Sequence, residues 1–86
     1  MEISVELTLT PLQDSYEEHI IRFIKKLRQS GLHIKENPLS TQVYGAYDEV
    51  MEVLNTEIRE VFEFMDQGLV LLKIVKSNRS DYEPHF

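Results

Sequence analysis

Hydrophobic and polar residues alternate strictly at the start of the chain: Ile3, Val5, Leu7 and Leu9 against Ser4, Glu6, Thr8 and Thr10. A period of two predicts a strand with one buried face. Pro11 stops it, and Gln13-Asp14-Ser15 reads as a loop. Ser15 with Glu18, or Asp14 with Glu17, has the spacing of a capping box, so a helix is expected to begin there. Tyr16, Ile20, Phe23, Ile24 and Leu27 recur at steps of three and four, which makes one core-facing stripe, with Glu17, Arg22, Lys25 and Arg28 outside. Gly31 stands where a helix needs a left-handed residue to terminate.

Leu32 to Glu36 alternates briefly and predicts a short strand near an edge. Asn37-Pro38 turns the chain, because proline excludes Asn37 from helical backbone, and a return strand is expected from about Ser40. On it Thr41, Val43 and Gly45 share one face, and Ser40, Gln42, Tyr44 and Ala46 the other. Asp48 is the expected cap of a second helix, with Glu49 and Glu52 favoured by the helix dipole. Its stripe is Met51, Leu54, Ile58, Val61, Phe62 and Met65, and Gly68 is expected to end it. Leu69 to Val75 is so continuously apolar that it predicts a strand lying between neighbours and buried in part on both faces. Residues 1–76 thus read as one domain, and 77–86, polar and carrying Pro84, as a C-terminal tail.

Strand, helix, strand, strand, helix, strand is the split βαβ order. The expected class is α+β, ferredoxin-like βαββαβ, with a four-stranded antiparallel sheet ordered 4-1-3-2 and two helices on one face. The other face is bare. With Ile3, Val5, Leu7 and Leu9 toward the helices, Ser4, Glu6, Thr8 and Thr10 lie on that face beside Ser40, Gln42, Tyr44 and Ala46. Part of the last strand's apolar surface must emerge there as well, and a second copy packed sheet to sheet would cover it. The same polar groups could then serve a ligand or simply bond across the interface.

Composition narrows the function. An 86-residue domain buries only about 60–65% of the surface its unfolded chain exposes. No cysteine is present to staple it or to act as a thiolate, so packing, a ligand or oligomerisation must supply the rest. Fifteen acids against nine bases give a net charge of −6, which opposes nucleic acid as a partner. No segment is apolar enough to span a membrane, and the acid at position 2 argues against a secretory leader, so a cytoplasmic location is expected. No serine sits in a nucleophile elbow, His19, His33 and His85 are not at metal-ligand spacing, and the three glycines form no phosphate loop. The pattern predicts neither an enzyme nor a cofactor.

Five motifs in order add a resemblance. They are V-E-L-x-L-x-P-L (Val5 to Leu12), S-G-L (Ser30 to Leu32), P-L-S-T (Pro38 to Thr41), G-x-Y-D-E-V-M (Gly45 to Met51) and V-F-E with its following glycine (Val61 to Glu63, Gly68). Together they resemble the small thiamine-binding, YkoF-like family. The resemblance implies a ferredoxin-like subunit, sheet-to-sheet dimers that pair into tetramers, and non-catalytic binding of thiamine or its hydroxymethylpyrimidine part. Typical members carry P-M-G-T where this chain has Leu39 and Ser40. An aminopyrimidine is planar, with one donor and two acceptors, and Glu6, Thr8, Ser40, Thr41, Gln42 and Tyr44 offer matching carboxylate, hydroxyl, amide and aromatic groups. Glu6 is expected to supply a charged hydrogen bond and Tyr44 to stack. The competing expectation is a structural or regulatory module that assembles through its open face without a small ligand.

Overall fold

In the computed structural model, which describes residues 1–86, the opening alternation is realised as strand β1, Glu2–Pro11. Helix α1 spans Tyr16–Arg28, β2 His33–Glu36, β3 Thr41–Ala46, α2 Tyr47–Phe64 and β4 Gly68–Val75. All pairings are antiparallel and the spatial order is β2-β3-β1-β4, as the pattern predicted. The fold is ferredoxin-like, with both helices over β1 and β3. Neither helix is long and apolar enough to cross a membrane.

The alternation separates the two faces cleanly. Ile3, Val5, Leu7 and Leu9 are 1–8% exposed and meet Phe23 and Leu27 of α1, Val43 of β3, and Val50, Leu54, Val61 and Met65 around α2. Val50, absent from the expected stripe, is fully buried, whereas Phe62 and Tyr16, both expected inside, are half exposed. The α2 stripe is therefore turned by one position: Val50, Leu54 and Val61 define its inner line, and Phe62 falls outside it.

Three local expectations change. Ser15 precedes α1 in a left-handed conformation, φ 65°, and makes no capping hydrogen bond. A side-chain cap needs an extended backbone at that position, so no capping box forms. The loop is fixed instead by Gln13, whose Oε1 accepts from the backbone N–H of Asp66 at 2.7 Å, while the Leu12 N–H donates to the Gln67 carbonyl at 2.8 Å. At α2 the helix starts at Tyr47, ahead of Asp48, because the extended Ala46 is the N-terminal boundary and the Tyr47 N–H is satisfied by the Met1 carbonyl at 2.8 Å. Asp48 and Glu49 sit in the first turn, where the dipole favours them. Gly31 has the expected positive φ, 85°, but lies two residues past Gln29, the C-cap of α1, one position beyond the expected C′; Gly68 opens β4 and does not close α2. A Cβ at Gly68 would fall 2.5 Å from the Met65 side chain and 3.0 Å from the Thr10 carbonyl, so close strand approach explains this glycine.

The largest departure is β4. It pairs with β1 alone and forms one edge of the sheet, so it does not lie between neighbours. Leu71 is 64% exposed, and Leu69, Leu72 and Ile74 are each more than a third exposed. The helices cover the two central strands, and β4 lies outboard of them. Its apolar composition reflects surface that the single chain leaves uncovered.

Candidate functional site

Directly paired residues on adjacent strands share a face of the sheet. The register therefore assembles the open face in rows: Tyr44, Ser4 and Val75; Gln42, Glu6 and Lys73; then Thr8 beside Leu71 and Thr10 beside Leu69. From β2, His33 lies opposite Tyr44 and Lys35 opposite Gln42. One carboxylate, Glu6, thus stands between an amide and an ammonium in the middle of the sheet.

Hydrogen bonds orient these groups. The Ser40 hydroxyl donates to Glu6 Oε2 at 3.0 Å, which leaves the other carboxylate oxygen free. Tyr44 donates its phenol to Gln42 Oε1 at 2.6 Å, so the Gln42 NH₂ is an available donor. Ser40 is itself held by the turn before it: Asn37 Oδ1 accepts from the backbone N–H of Leu39 at 2.8 Å and of Ser40 at 2.9 Å. This is an Asx turn, the local chemistry that Asn-Pro sequences favour.

The C-terminal residues cross this face. The Ser4 hydroxyl donates to the Ser77 carbonyl at 2.7 Å and accepts from the Arg79 N–H at 2.8 Å. Asn78 donates to Glu2 at 3.0 Å, and Lys35 donates to the Ser80 carbonyl. Ser4 is consequently only 7% exposed although it lies on the side away from the helices. Beneath the strap is a pocket of about 420 Å³ lined by Ser4, Glu6, Gln42, Tyr44, Lys73, Val75, Arg79 and Tyr82. A second, smaller cleft of about 190 Å³ opens at the end of the sheet, between α1 and the Asn37–Thr41 turn.

The expected site residues divide between these two spaces. Glu6, Gln42 and Tyr44 line the open-face pocket. Thr8 and Ser40 border the end cleft, with Thr8 donating to the Leu39 carbonyl at 3.3 Å, and Ser40 joins the two spaces through its bond to Glu6. Thr41 is 7% exposed, pairs with Leu7 on the helix side, and lines the cleft but not the open-face pocket. The Tyr44 ring is 7% exposed, with the His33 ring centroid 5.4 Å away and the Lys35 ammonium 5.7 Å from its centre.

A family model for thiamine-binding protein matches residues 5–85. The chain belongs to that family. Solved structures with the same fold include a Thermotoga maritima protein with a proposed role in thiamine biosynthesis or salvage, at 23% identity and a TM-score of 0.80, covering 90% of this chain and 85% of that one. A Streptococcus pneumoniae protein is 22% identical with a TM-score of 0.84, over 91% and 89% of the two chains. A Methanocaldococcus jannascii protein is 23% identical with a TM-score of 0.73, over 95% and 84%. At these identities the likeness shows the fold. No curated protein matches.

The match of this thiamine-binding family member runs through residue 85 and so includes the strap. Lys73, Arg79 and Tyr82 are pocket residues that the sequence pattern did not single out. Lys73 had a usable signal, being the one charge inside the apolar run from Leu69 to Val75. Arg79 and Tyr82 had none, because nothing in a polar tail says that it folds back over a sheet. The two ion pairs lie elsewhere: Arg22 with Glu60 at 3.0 Å between the helices, and Arg28 with Glu36 at 2.7 Å at the far edge, where the guanidinium holds the Glu36 carboxyl below its ordinary range by hydrogen bonding. Lys73 and Arg79 are in no ion pair.

Proposed function

We propose that this family member is a non-enzymatic binder of thiamine or its hydroxymethylpyrimidine part, held in the open-face pocket and serving thiamine salvage, transport or sensing in the cytoplasm. The observation that carries the reading is the pairing of Glu6 with Gln42. A free carboxylate oxygen accepts from the exocyclic amine of the pyrimidine while the adjacent Gln42 NH₂ donates to the neighbouring ring nitrogen. That donor and acceptor pair matches one edge of the heterocycle. Ser40 orients Glu6, Thr8 and Thr41 shape the turn that presents Ser40, and Tyr44 positions Gln42. The exposed Tyr82 ring, in preference to the covered Tyr44, supplies the stacking surface. Glu6, the one carboxylate of the pocket, is engaged by Ser40, and binding without turnover is the expected behaviour.

Leu69 and Leu71, exposed on the same face beside Thr10 and Thr8, support a homodimer packed sheet to sheet, or a tetramer of such dimers. A purely structural or regulatory assembly module would share this surface and lack the ligand. Calorimetric titration with thiamine and with hydroxymethylpyrimidine separates the two. Saturable heat that weakens in Gln42→Ala supports the binder; no heat and no thermal shift at millimolar ligand would overturn it. Light scattering tests assembly independently, and a monomer at micromolar protein would contradict the sheet packing.

A further inference from the structure

Resting on the binding reading above, we infer that the preferred ligand carries a phosphate ester on the hydroxymethyl arm of its pyrimidine, and that Lys73 and Arg79 read this phosphate. The protein is acidic overall, yet its pocket collects cations: Lys73 from β4 and Arg79 from the strap line it, and Lys35 borders it over Tyr44. Neither Lys73 nor Arg79 has a carboxylate partner within ion-pair distance, although Lys73 stands directly opposite Glu6 in the ladder. Glu6 is instead engaged by Ser40. Two unpaired cations beside one oriented carboxylate suit a ligand that is a hydrogen-bond donor at one substituent and an anion at the next.

Spacing selects the ligand. Cross-strand neighbours such as Glu6 and Lys73 have Cβ atoms about 4.5–5.5 Å apart. In a 4-amino-5-hydroxymethylpyrimidine the amine and the hydroxymethyl arm are on adjacent ring atoms, so an amine at Glu6 brings the arm to Lys73. A phosphate at the far end of thiamine's thiazolium arm lies well beyond that spacing. Arg79 is placed to complete the contact. Ser4 clamps the strap on both sides of Asn78, and Arg79 Nε donates to Ser77 Oγ at 2.8 Å, which fixes the guanidinium while leaving its terminal NH₂ groups free for phosphate oxygens. The strap is thereby part of the binding site, and ligand binding is expected to order it further.

The test is calorimetry on the full chain with three probes: hydroxymethylpyrimidine, its monophosphate, and thiamine. The monophosphate is expected to bind at least tenfold more tightly than the free alcohol, with the gain shrinking as salt is raised. Lys73→Met and Arg79→Gln are expected to lower the affinity for the monophosphate to that which each variant shows for hydroxymethylpyrimidine, so that the ratio of the two is lost; both side chains are exposed, and unchanged thermal midpoints confirm folding. If the alcohol or thiamine binds and the ester gains nothing, or if the gain survives both substitutions, the inference falls and the binding reading stands. If all three probes are silent, both fall. Binding of the monophosphate alone, dependent on Lys73, supports the inference and overturns the reading for free thiamine.

Discussion

The two faces of this sheet are written by one alternation and reach opposite ends. On the helix side, Ile3, Val5, Leu7 and Leu9 are sealed by residues from α1, β3 and α2, and only the end cleft reaches Leu7 and Leu9. On the open side, the intervening Ser4, Glu6 and Thr8 meet hydroxyls, an amide, two cations and a returning chain end. Stability resides mainly on the first face, and recognition is expected on the second. Substitutions on the two faces should therefore separate cleanly.

The largest effect is expected on the helix face. Leu27 is fully buried against the β1 row, and Leu27→Ala should cost about 2–5 kcal/mol in denaturant unfolding through lost transfer free energy and the cavity left behind. In an 86-residue domain that is a large part of the total. A loss below about 1 kcal/mol would mean that the core relaxes, and the division between faces would blur. Glu6→Gln, on the open face, should do the reverse. It leaves the thermal midpoint nearly unchanged and weakens thiamine or hydroxymethylpyrimidine binding about tenfold or more, equivalent to about 1.4 kcal/mol, because an amide accepts the pyrimidine amine less strongly than a carboxylate. Equal loss of stability and affinity would place Glu6 in the scaffold.

How much of this was legible follows the same division. Period-two and period-3.6 patterns report which side of an element is buried, so strand order, helix count and the sorting of Ser4, Glu6, Thr8, Gln42 and Tyr44 onto one face could be read directly. Contacts that depend on where a chain end travels could not. The strap over Ser4 is held by backbone groups of Ser77 and Arg79, which any sequence carries, and its course is invisible to side-chain pattern. The apolar run of β4 misled for a related reason. An apolar run does not say whether its strand is central or at an edge, and β4 is an edge strand with Leu69, Leu71, Leu72 and Ile74 exposed. Ser15 and Asp48 show the limit at the smallest scale: both have a capping residue's chemistry, but backbone conformation at one and the Met1 carbonyl that accepts from the Tyr47 N–H at the other decide the outcome.

Ser4 is where the open face holds the strap, and its substitution should be smaller in effect and mixed in kind. Ser4→Ala removes one donor and one acceptor that hold the strap, at a cost of about 1–2 kcal/mol. Amide hydrogen exchange should quicken in residues 77–82 while the β1 and β3 amides stay protected. Uniform quickening across the sheet would show instead that the strap is integral to the core.

The smallest effect returns to the helix layer. Glu57 lies in the groove between α1 and α2, and burial, followed by repulsion from Glu60, raises its carboxyl above the ordinary range against the opposing pull of Lys26 and Arg22. A raised carboxyl binds its proton more tightly in the folded state than in the unfolded one, so stability must fall as pH rises from about 4.5 through the folded-state value. Removing the charge should therefore help at neutral pH and make no difference below that window. Glu57→Gln is expected to stabilise by no more than about 0.5 kcal/mol at pH 7, since the group is largely solvated. Paired urea titrations at pH 7 and pH 4 read this directly. A destabilised variant at pH 7 would mean that Lys26 and Arg22 outweigh burial, and that the helix face, too, keeps a carboxylate in working ionic contact.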